Sequence, residues 1–464
     1  MNIDKRITLP ETDQAPYVRI VQIDVLRGFA LLGIYWVNIF IFALPVGLGP
    51  LPAELNDSSG INTLMRLISD VLVEGTMRGL FSILFGASAL LFLDEARLAT
   101  SGLDLVDRYY RRTVLLILFG VIHAYVLLWP YDVLYAYGLL GLFLFPLRKL
   151  SAKSLLLFGL ALLIVGDFNL QELRFGDGLE TRLGKADILD YDESASPSVL
   201  ARDAESKVSS PTLPEVIADE STRLPDEVGD SKARDSVSKR FLSEAEITTY
   251  RDGYLTIFTH QIGVVIDKQS NTMYLDYLYD IGGMMLIGMA LFKLGVLSGQ
   301  LARRTYLLFA VLGYSLGIIL RLATAYSGLE FGNRLIDPVL HYSASYNVSR
   351  VIMTMGHIGL VGLLCYSSWL RFITRMLASV GRMALTNYIM QTVISIFLFY
   401  GFGFGLFALL ERSEVAVVCL GVWVFQIAFS TMWLRWFKQG PLEWVWRSLI
   451  YGQLQPNRKV KRTV

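Results

Sequence analysis

Four side chains able to do acid–base or hydrogen-bond chemistry stand inside apolar stretches of this sequence: Asn38, Glu74, His123 and Asp132. Imidazole changes charge near neutral pH and is the usual general base there. His123 follows Arg112 by eleven residues, about 16 Å along a helix. If Arg112 marks a membrane boundary, the imidazole lies near mid-membrane. Asp132 closes the short WPYD loop, Trp129 to Asp132, beyond His123. From there its carboxylate can orient or charge-stabilise the ring. Asn38 follows Arg27 by the same eleven residues, which is three helical turns on one face and a similar depth. An amide at that depth can donate to a carbonyl oxygen on which negative charge develops. Asp70, Glu74 and Arg78 are spaced i, i+4, i+8, so a regular helix would carry them on one face and pair Glu74 with Arg78. Asn38, Glu74, His123 and Asp132 are expected to meet in one wet cavity.

Other buried polar residues extend this expectation. An ionisable group in hydrocarbon costs about 2.5–3.5 kcal/mol on insertion scales, so it turns toward a bundle interior or an aqueous cavity. Asp24, Arg78, Arg321, His357, Asn387 and Gln391 are expected to line a substrate cavity opening outward. Arg350 and His357 stand two turns apart on one face. Taken singly, each of these also fits an interhelical hydrogen-bond partner.

The elements that hold these residues are apolar helices. Of 464 residues, 53% are hydrophobic and 18% charged, against about 45–50% and a quarter in soluble domains. The apolar residues fall in blocks at 23–44, 64–93, 113–129, 132–148, 153–168, 276–297, 304–326, 349–370, 383–400 and 415–437. Each is long enough, or nearly so, to cross a hydrocarbon core of about 30 Å. The expected fold is an all-α polytopic membrane bundle of about ten transmembrane helices. Gly75, Gly79 and Gly86 predict a tilt or bend in the overlong second block. Lys and Arg crowd alternate loops, from Arg97 to Arg112 and again at Arg148, Lys149 and Lys153. They recur at Arg303 and Arg304, at Arg371 to Arg382, and after Arg435. That alternation predicts both termini in the cytoplasm.

Three regions follow. Residues 1–168 form an N-terminal half of five spans. Residues 169–250 are an acidic, Ser-rich insert expected to be largely flexible and extracytoplasmic. Residues 251–464 form a C-terminal half of five spans, preceded over 251–268 by a helix expected to lie on the outer interface. The polar first 22 residues and the long first apolar block predict a retained signal anchor rather than a cleaved leader.

Several function classes are disfavoured. A net charge of +1 gives no basic excess for a nucleic-acid partner. Cys365 and Cys419 sit in apolar blocks and are read as core residues. The sequence has no GxxxxGK[ST], HExxH, CxxC or GxSxG. No metal site is expected. GFGFG at 401–405 follows no strand and is read as an interfacial turn.

Three stretches carry a family resemblance: RIVQIDVLRGFALLGIYWVN (Arg19 to Asn38), EGTMRGLFSILFGAS (Glu74 to Ser88), and GRMALTNYIMQ (Gly381 to Gln391) with GPLEWVWR (Gly440 to Arg447). With RRTVLLILFGVIHAYVLLWPYDVLYAYGLLG between them, the chain resembles the YeiB-like family of bacterial membrane proteins, catalogued as a domain of unknown function. That family is similar, distantly, to transmembrane acyltransferases: acyltransferase family three and the lysosomal heparan glucosaminide acetyltransferases. The resemblance implies transfer of an acyl group from cytosolic acyl-CoA, the donor substrate, across the bacterial cytoplasmic (inner) membrane. The acceptor would be an extracytoplasmic glycan, lipid or small molecule with a hydroxyl or amine. On an acyltransferase reading Arg27, Arg111, Arg112 and Arg382 would bind CoA phosphates, and the residues already singled out, His123, Asp132, Asn38 and Glu74, would form the catalytic set. Arg27 matches the family-three arginine. Asn38 stands where that family has His, as in the heparan enzymes, and the loop over 45–63 has no His. A transporter or exporter of a small solute is the alternative, with the same buried ionisable groups as its relay.

Overall fold

The computed structural model describes residues 20–45, 60–99, 103–166, 244–330 and 337–459. Among these residues the regular structure is helical, and the one isolated β-bridge joins Phe437 to Arg458. The helices are α1 (Val21–Ala43), α2 (Gly60–Ile68), α3 (Thr76–Ala99), α4 (Leu103–Tyr125) and α5 (Leu134–Leu147). There follow α6 (Ala152–Gly166) and α7 (244–250). The second half contributes α8 (Tyr254–Asp267), α9 (Leu278–Lys293), α10 (Arg303–Glu330), α11 (Asp337–Tyr366), α12 (Arg371–Arg382), α13 (Ala384–Phe399), α14 (Arg412–Trp436) and α15 (Pro441–Tyr451).

Each apolar block of the sequence falls on one of these helices. Six helical stretches are long and apolar enough to cross a membrane: Val21–Ala43, Gly60–Asp94, Tyr254–Lys293, Arg303–Ala323, Tyr346–Tyr366 and Arg412–Trp436. Leu134–Leu147, Ala152–Gly166 and Ala384–Phe399 are apolar but shorter. α4 carries Arg108, Arg111 and Arg112 in its first turns, which dilutes its apolar character. On α10, Leu308, Val311, Leu312 and Ile319 are exposed, as a lipid-facing surface requires.

The second block bends as its glycines predict. α2 passes into a π-helical turn, Ser69–Val73, and the chain then breaks at Glu74. Gly75 sits at φ 66°, a left-handed conformation that side chains with a Cβ rarely adopt. α3 restarts at Thr76 with its face rotated relative to α2.

One expectation of the fold is corrected. The helix expected to lie separately over 251–268 runs without a break through π-helical Lys268–Tyr277 into α9, giving one 40-residue stretch, Tyr254–Lys293. Gln261, on its buried face, is 2% exposed and its amide donates to the Tyr250 and Tyr400 hydroxyls, while Thr256, Thr259, His260 and Asp267 stay exposed. The acidic insert lies almost wholly outside the described residues, which resume at 244.

Two packing features place the site. α1 crosses α12 at Gly28 and Gly381. A Cβ on Gly28 would stand 2.0 Å from the Leu377 carbonyl oxygen, so only glycine permits this approach. The crossing sets Arg27 and Arg382, each one residue from its glycine, side by side. α4 and α5 form the second feature, a hairpin closed by the WPYD loop. Leu128 in that turn has φ 54°, a strained conformation costing about 1–3 kcal/mol. The turn folds the chain back, with the Trp129 amide donating to the His123 carbonyl at 3.3 Å.

Candidate functional site

The hairpin turn carries Asp132 onto His123. His123 Nδ1 lies 2.7 Å from Asp132 Oδ1, and the imidazole is 0% exposed. Asp132 Oδ2 accepts the Tyr135 backbone N–H at 2.8 Å. A carboxylate can only accept, so Nδ1 carries the proton it donates to Asp132 and Nε2 presents a lone pair. Nε2 lies 2.7 Å from Thr392 Oγ1 on α13. One turn earlier on α13, the Tyr388 ring packs edge-on against the imidazole, with centroids 4.9 Å apart.

Beside this buried group lies a cavity of about 200 Å³. Arg27, Arg112 and Arg382 line it, together with Ser88, Glu443 and Trp446; Val133, Tyr137 and Tyr388 wall it on the His123 side. Tyr388 therefore separates the cavity from the imidazole. Arg27 donates to Ser88 and pairs with Asp24 at 3.3 Å. Arg112 is held among the Phe85, Phe92 and Trp446 rings at 5.3–5.5 Å from their centroids, a cation–π setting that fixes the guanidinium in place. Arg382 donates to the Lys438 carbonyl at 2.8 Å. The Glu443 carboxylate is turned to the start of α13, where it accepts the Leu385 and Thr386 amides and the Thr386 hydroxyl. Three guanidiniums line the cavity, with Glu443 beside them and Asp24 paired to Arg27, an arginine-rich wall of the kind that meets anionic, phosphate-bearing ligands.

Arg111 does not join them. It pairs with Asp107 at 2.9 Å and is about half exposed, 52%. Successive helical residues diverge by about 100°, so only Arg112 of the pair can face inward.

Glu74 and Asn38 are likewise not partners of the imidazole, whose nitrogens are engaged by Asp132 and Thr392. The break at Gly75 turns Glu74 away from Arg78. Glu74 accepts from the Tyr346 hydroxyl at 3.1 Å and lies 3.7 Å from Arg321. Arg78 pairs instead with Asp280 on α9 at 2.6 Å, and Arg350 on α11 pairs with the other oxygen of Asp280. Asn38 is half-buried on α1 and does not line the cavity.

The expected outward cavity of Arg321, His357, Asn387 and Gln391 is split in two. On one side, Arg321 donates to the Asp70 carbonyl. Nearby, His357 Nε2 meets the Leu72 carbonyl at 3.1 Å and Nδ1 meets the Tyr314 hydroxyl at 2.8 Å. On the other side, Asn387 donates to Ser430 and Gln391 to Gln426. These bonds tie α13 to α14 as interhelical packing contacts.

Sequence reasoning missed Asp280, Tyr388, Thr392 and Glu443. Asp280 had a usable signal, an acid inside the apolar run LYDIGGMML. Thr392, a small hydroxyl in an apolar helix, had none. Tyr137 links the two polar regions: it lines the cavity, and its hydroxyl lies 2.9 Å from Ser82 Oγ, which donates to the Arg78 carbonyl.

Comparison with known proteins places the chain. The family described as "Protein of unknown function (DUF418)" matches residues 291–453. "Uncharacterized protein YeiB" of Escherichia coli (strain K12) is 30% identical over 440 residues, covering 93% of this chain and 96% of that protein. "Uncharacterized protein YxaH" of Bacillus subtilis (strain 168) is 25% identical over 445 residues, covering 95% and 96%. No solved structure matches. Matched from end to end by its Escherichia coli relative and across the second half by the family, the chain belongs to the YeiB-like family of proteins of unknown function.

Proposed function

We propose that this protein is a membrane acyltransferase that moves an acyl group from cytosolic acyl-CoA to a hydroxyl or amine on the far side of the bacterial inner membrane. In this reading about ten helices cross the bilayer, both termini are cytoplasmic, and the acidic insert over 169–250 lies outside between two five-span halves. Membrane lipids surround it, and the acceptor is an extracytoplasmic glycan, lipid or small molecule. The observation that carries the reading is one arginine-lined cavity that begins among Arg27, Arg112 and Arg382 and ends on the ring covering the His123–Asp132 pair.

The residues divide the work by position. Arg112 and Arg382 hold phosphates, and Arg27, anchored on Ser88 and Asp24, closes the mouth. The run from Arg112 to His123 on α4 is about 16 Å, a reach suited to an extended pantetheine arm. Asp132 fixes the tautomer in which Nε2, bonded to Thr392, can take a proton, and it stabilises the imidazolium that results. Preorganised charge in a water-poor site is worth more than the same charge in water.

Calorimetric titration of acetyl-CoA into the purified protein tests this. Arg112→Gln and Arg382→Gln each weaken binding by about tenfold or more, the value of one charge-assisted hydrogen bond. Arg111→Gln leaves it within about twofold, because Arg111 faces Asp107. No binding at millimolar acetyl-CoA, or equal losses from all three variants, rejects the reading.

A second reading draws on the buried Arg78–Asp280–Arg350 cluster, flanked by Glu74 and Arg321. Intramembrane ionisable groups of this kind serve as relays in transporters. Solute flux into proteoliposomes without any CoA dependence favours that alternative.

A further inference from the structure

The lone pair of His123 Nε2 does not face the cavity. It faces a hydroxyl: Thr392 Oγ1 stands 2.7 Å away, and Asp132 Oδ1 stands 2.7 Å from Nδ1. Hydroxyl, imidazole and carboxylate in that order form the relay by which a weak nucleophile is activated. Among the described buried threonines, Thr392 and Thr386 turn their hydroxyls to another side chain, Thr386 to Glu443 and Thr392 to the imidazole. Thr113 and Thr354 bond the carbonyl one turn back on their own helices, the ordinary resting place of a helical threonine hydroxyl. Among the described residues, the Thr392 hydroxyl bonds the imidazole instead. The residue is 2% exposed, and Tyr388, one turn before it, walls the cavity.

We propose that Thr392 is the nucleophile of this site and carries the acyl group as an ester between donor and acceptor. The inference rests on the acyl-CoA reading above for the identity of the donor. In the first half-reaction the Thr392 oxygen bonds to the thioester carbonyl carbon and its proton passes to His123 Nε2. The carbon–sulfur bond breaks, and the leaving thiolate takes that proton to depart as free thiol. In the second, the acceptor hydroxyl or amine bonds to the ester carbonyl carbon and gives its proton to Nε2. The proton then returns to the Thr392 oxygen as the ester bond breaks. Nothing is oxidised or reduced. Direct attack by the acceptor would require its hydroxyl to displace Thr392 from Nε2. An acyl-histidine would require the same vacancy. Both alternatives break the Thr392–imidazole bond first; attack by Thr392 uses that bond and needs the Tyr388 ring to swing aside.

The test maps the adduct on the full-length protein in lipid nanodiscs. The protein is mixed with acetyl-CoA, or with the small thioester S-acetyl-N-acetylcysteamine, then quenched in acid, digested and read by mass spectrometry. The expected result is one acetyl group on Thr392, removed by alkaline hydroxylamine and absent in Thr392→Val. Thr392→Ser restores it, and Thr392→Val lowers thiol release by about 100-fold or more. Calorimetry shows Thr392→Val binding acetyl-CoA within about twofold of wild type, which excludes misfolding as the cause. If acetyl-CoA binds but the acetyl group is found on His123, or Thr392→Val releases thiol at the wild-type rate, the nucleophile is overturned and the donor stands. If the small thioester acetylates Thr392 while acetyl-CoA does not bind, the donor is overturned and the nucleophile stands. No adduct from either thioester overturns the nucleophile.

Discussion

Replacing Asp280 with Ala removes the carboxylate that two guanidiniums share. One carboxylate, 6% exposed, sits between two guanidiniums: Arg78 at 2.6 Å and Arg350 on its other oxygen. The Arg350 side chain is 1% exposed and that of Arg78 is 32% exposed. Without the carboxylate, Arg78, partly exposed, has room to reorient, whereas Arg350 stays buried with its charge uncompensated. Breaking a buried pair from one side costs about 3–5 kcal/mol, and nearly all of that cost falls on Arg350. The attraction itself is worth less, because both charges were already desolvated. Replacing all three groups with apolar residues of similar volume, Arg78→Met, Asp280→Leu and Arg350→Met, is therefore expected to be near neutral or stabilising by about 1–4 kcal/mol. Reversible unfolding by denaturant in nanodiscs, followed by tryptophan fluorescence, measures both variants. The reasoning is refuted if Asp280→Ala costs under about 1 kcal/mol, or if the triple variant is no more stable than the single one.

Three further outcomes follow from the geometry. Gly381→Ala places a Cβ 1.9 Å from the Asp24 carbonyl oxygen, so α1 and α12 must separate; acetyl-CoA affinity should fall with stability, whereas Gly421→Ala, inside α14 with open space around it, should leave affinity unchanged and raise stability by about 0.5–1 kcal/mol. Tyr388→Ala removes the ring between cavity and imidazole, so diethyl pyrocarbonate should modify His123 at least about tenfold faster by peptide mapping, with His357, packed elsewhere, unchanged. Glu443 lies on α15, after the last span, and burial raises its carboxyl above the usual carboxylate range. The sign follows from linkage: its contribution to stability is complete below the unfolded value of about 4.3 and is lost as pH rises through the raised folded value. Glu443→Gln should therefore gain in melting temperature relative to wild type as pH rises from about 4 to 8, and a constant difference across that range would contradict the assignment.

The parts of this molecule that depend on local sequence were legible in it. Apolar blocks named the helices, because hydrocarbon length is a one-dimensional constraint. His123 and Asp132 were legible as a pair because nine residues, a helix end and a tight turn, leave few ways to arrange them. Arg27, Arg111, Arg112 and Arg382 were named together under the family resemblance, and only the fold separates Arg111, paired with Asp107, from the three that line one cavity. Long-range pairing was not legible. Asp280 is 202 residues from Arg78, and nothing local distinguishes it from Glu74, the nearer carboxylate. The Glu74–Arg78 expectation failed because it assumed a regular helix, and a π-helical turn followed by Gly75 at positive φ resets the rotation between them. Asn387 and Gln391 were read as cavity residues because a polar group in an apolar helix signals either a site or a helix contact. Only the position of α14 decides between the two.

The account turns on His123 as the base at the end of the arginine-lined cavity, and thiol release from acetyl-CoA measures that directly. His123→Gln keeps a hydrogen-bonding side chain but no titratable nitrogen. The account predicts that release falls by about 100-fold or more while acetyl-CoA affinity stays within about twofold of wild type. Release at the wild-type rate by His123→Gln contradicts it.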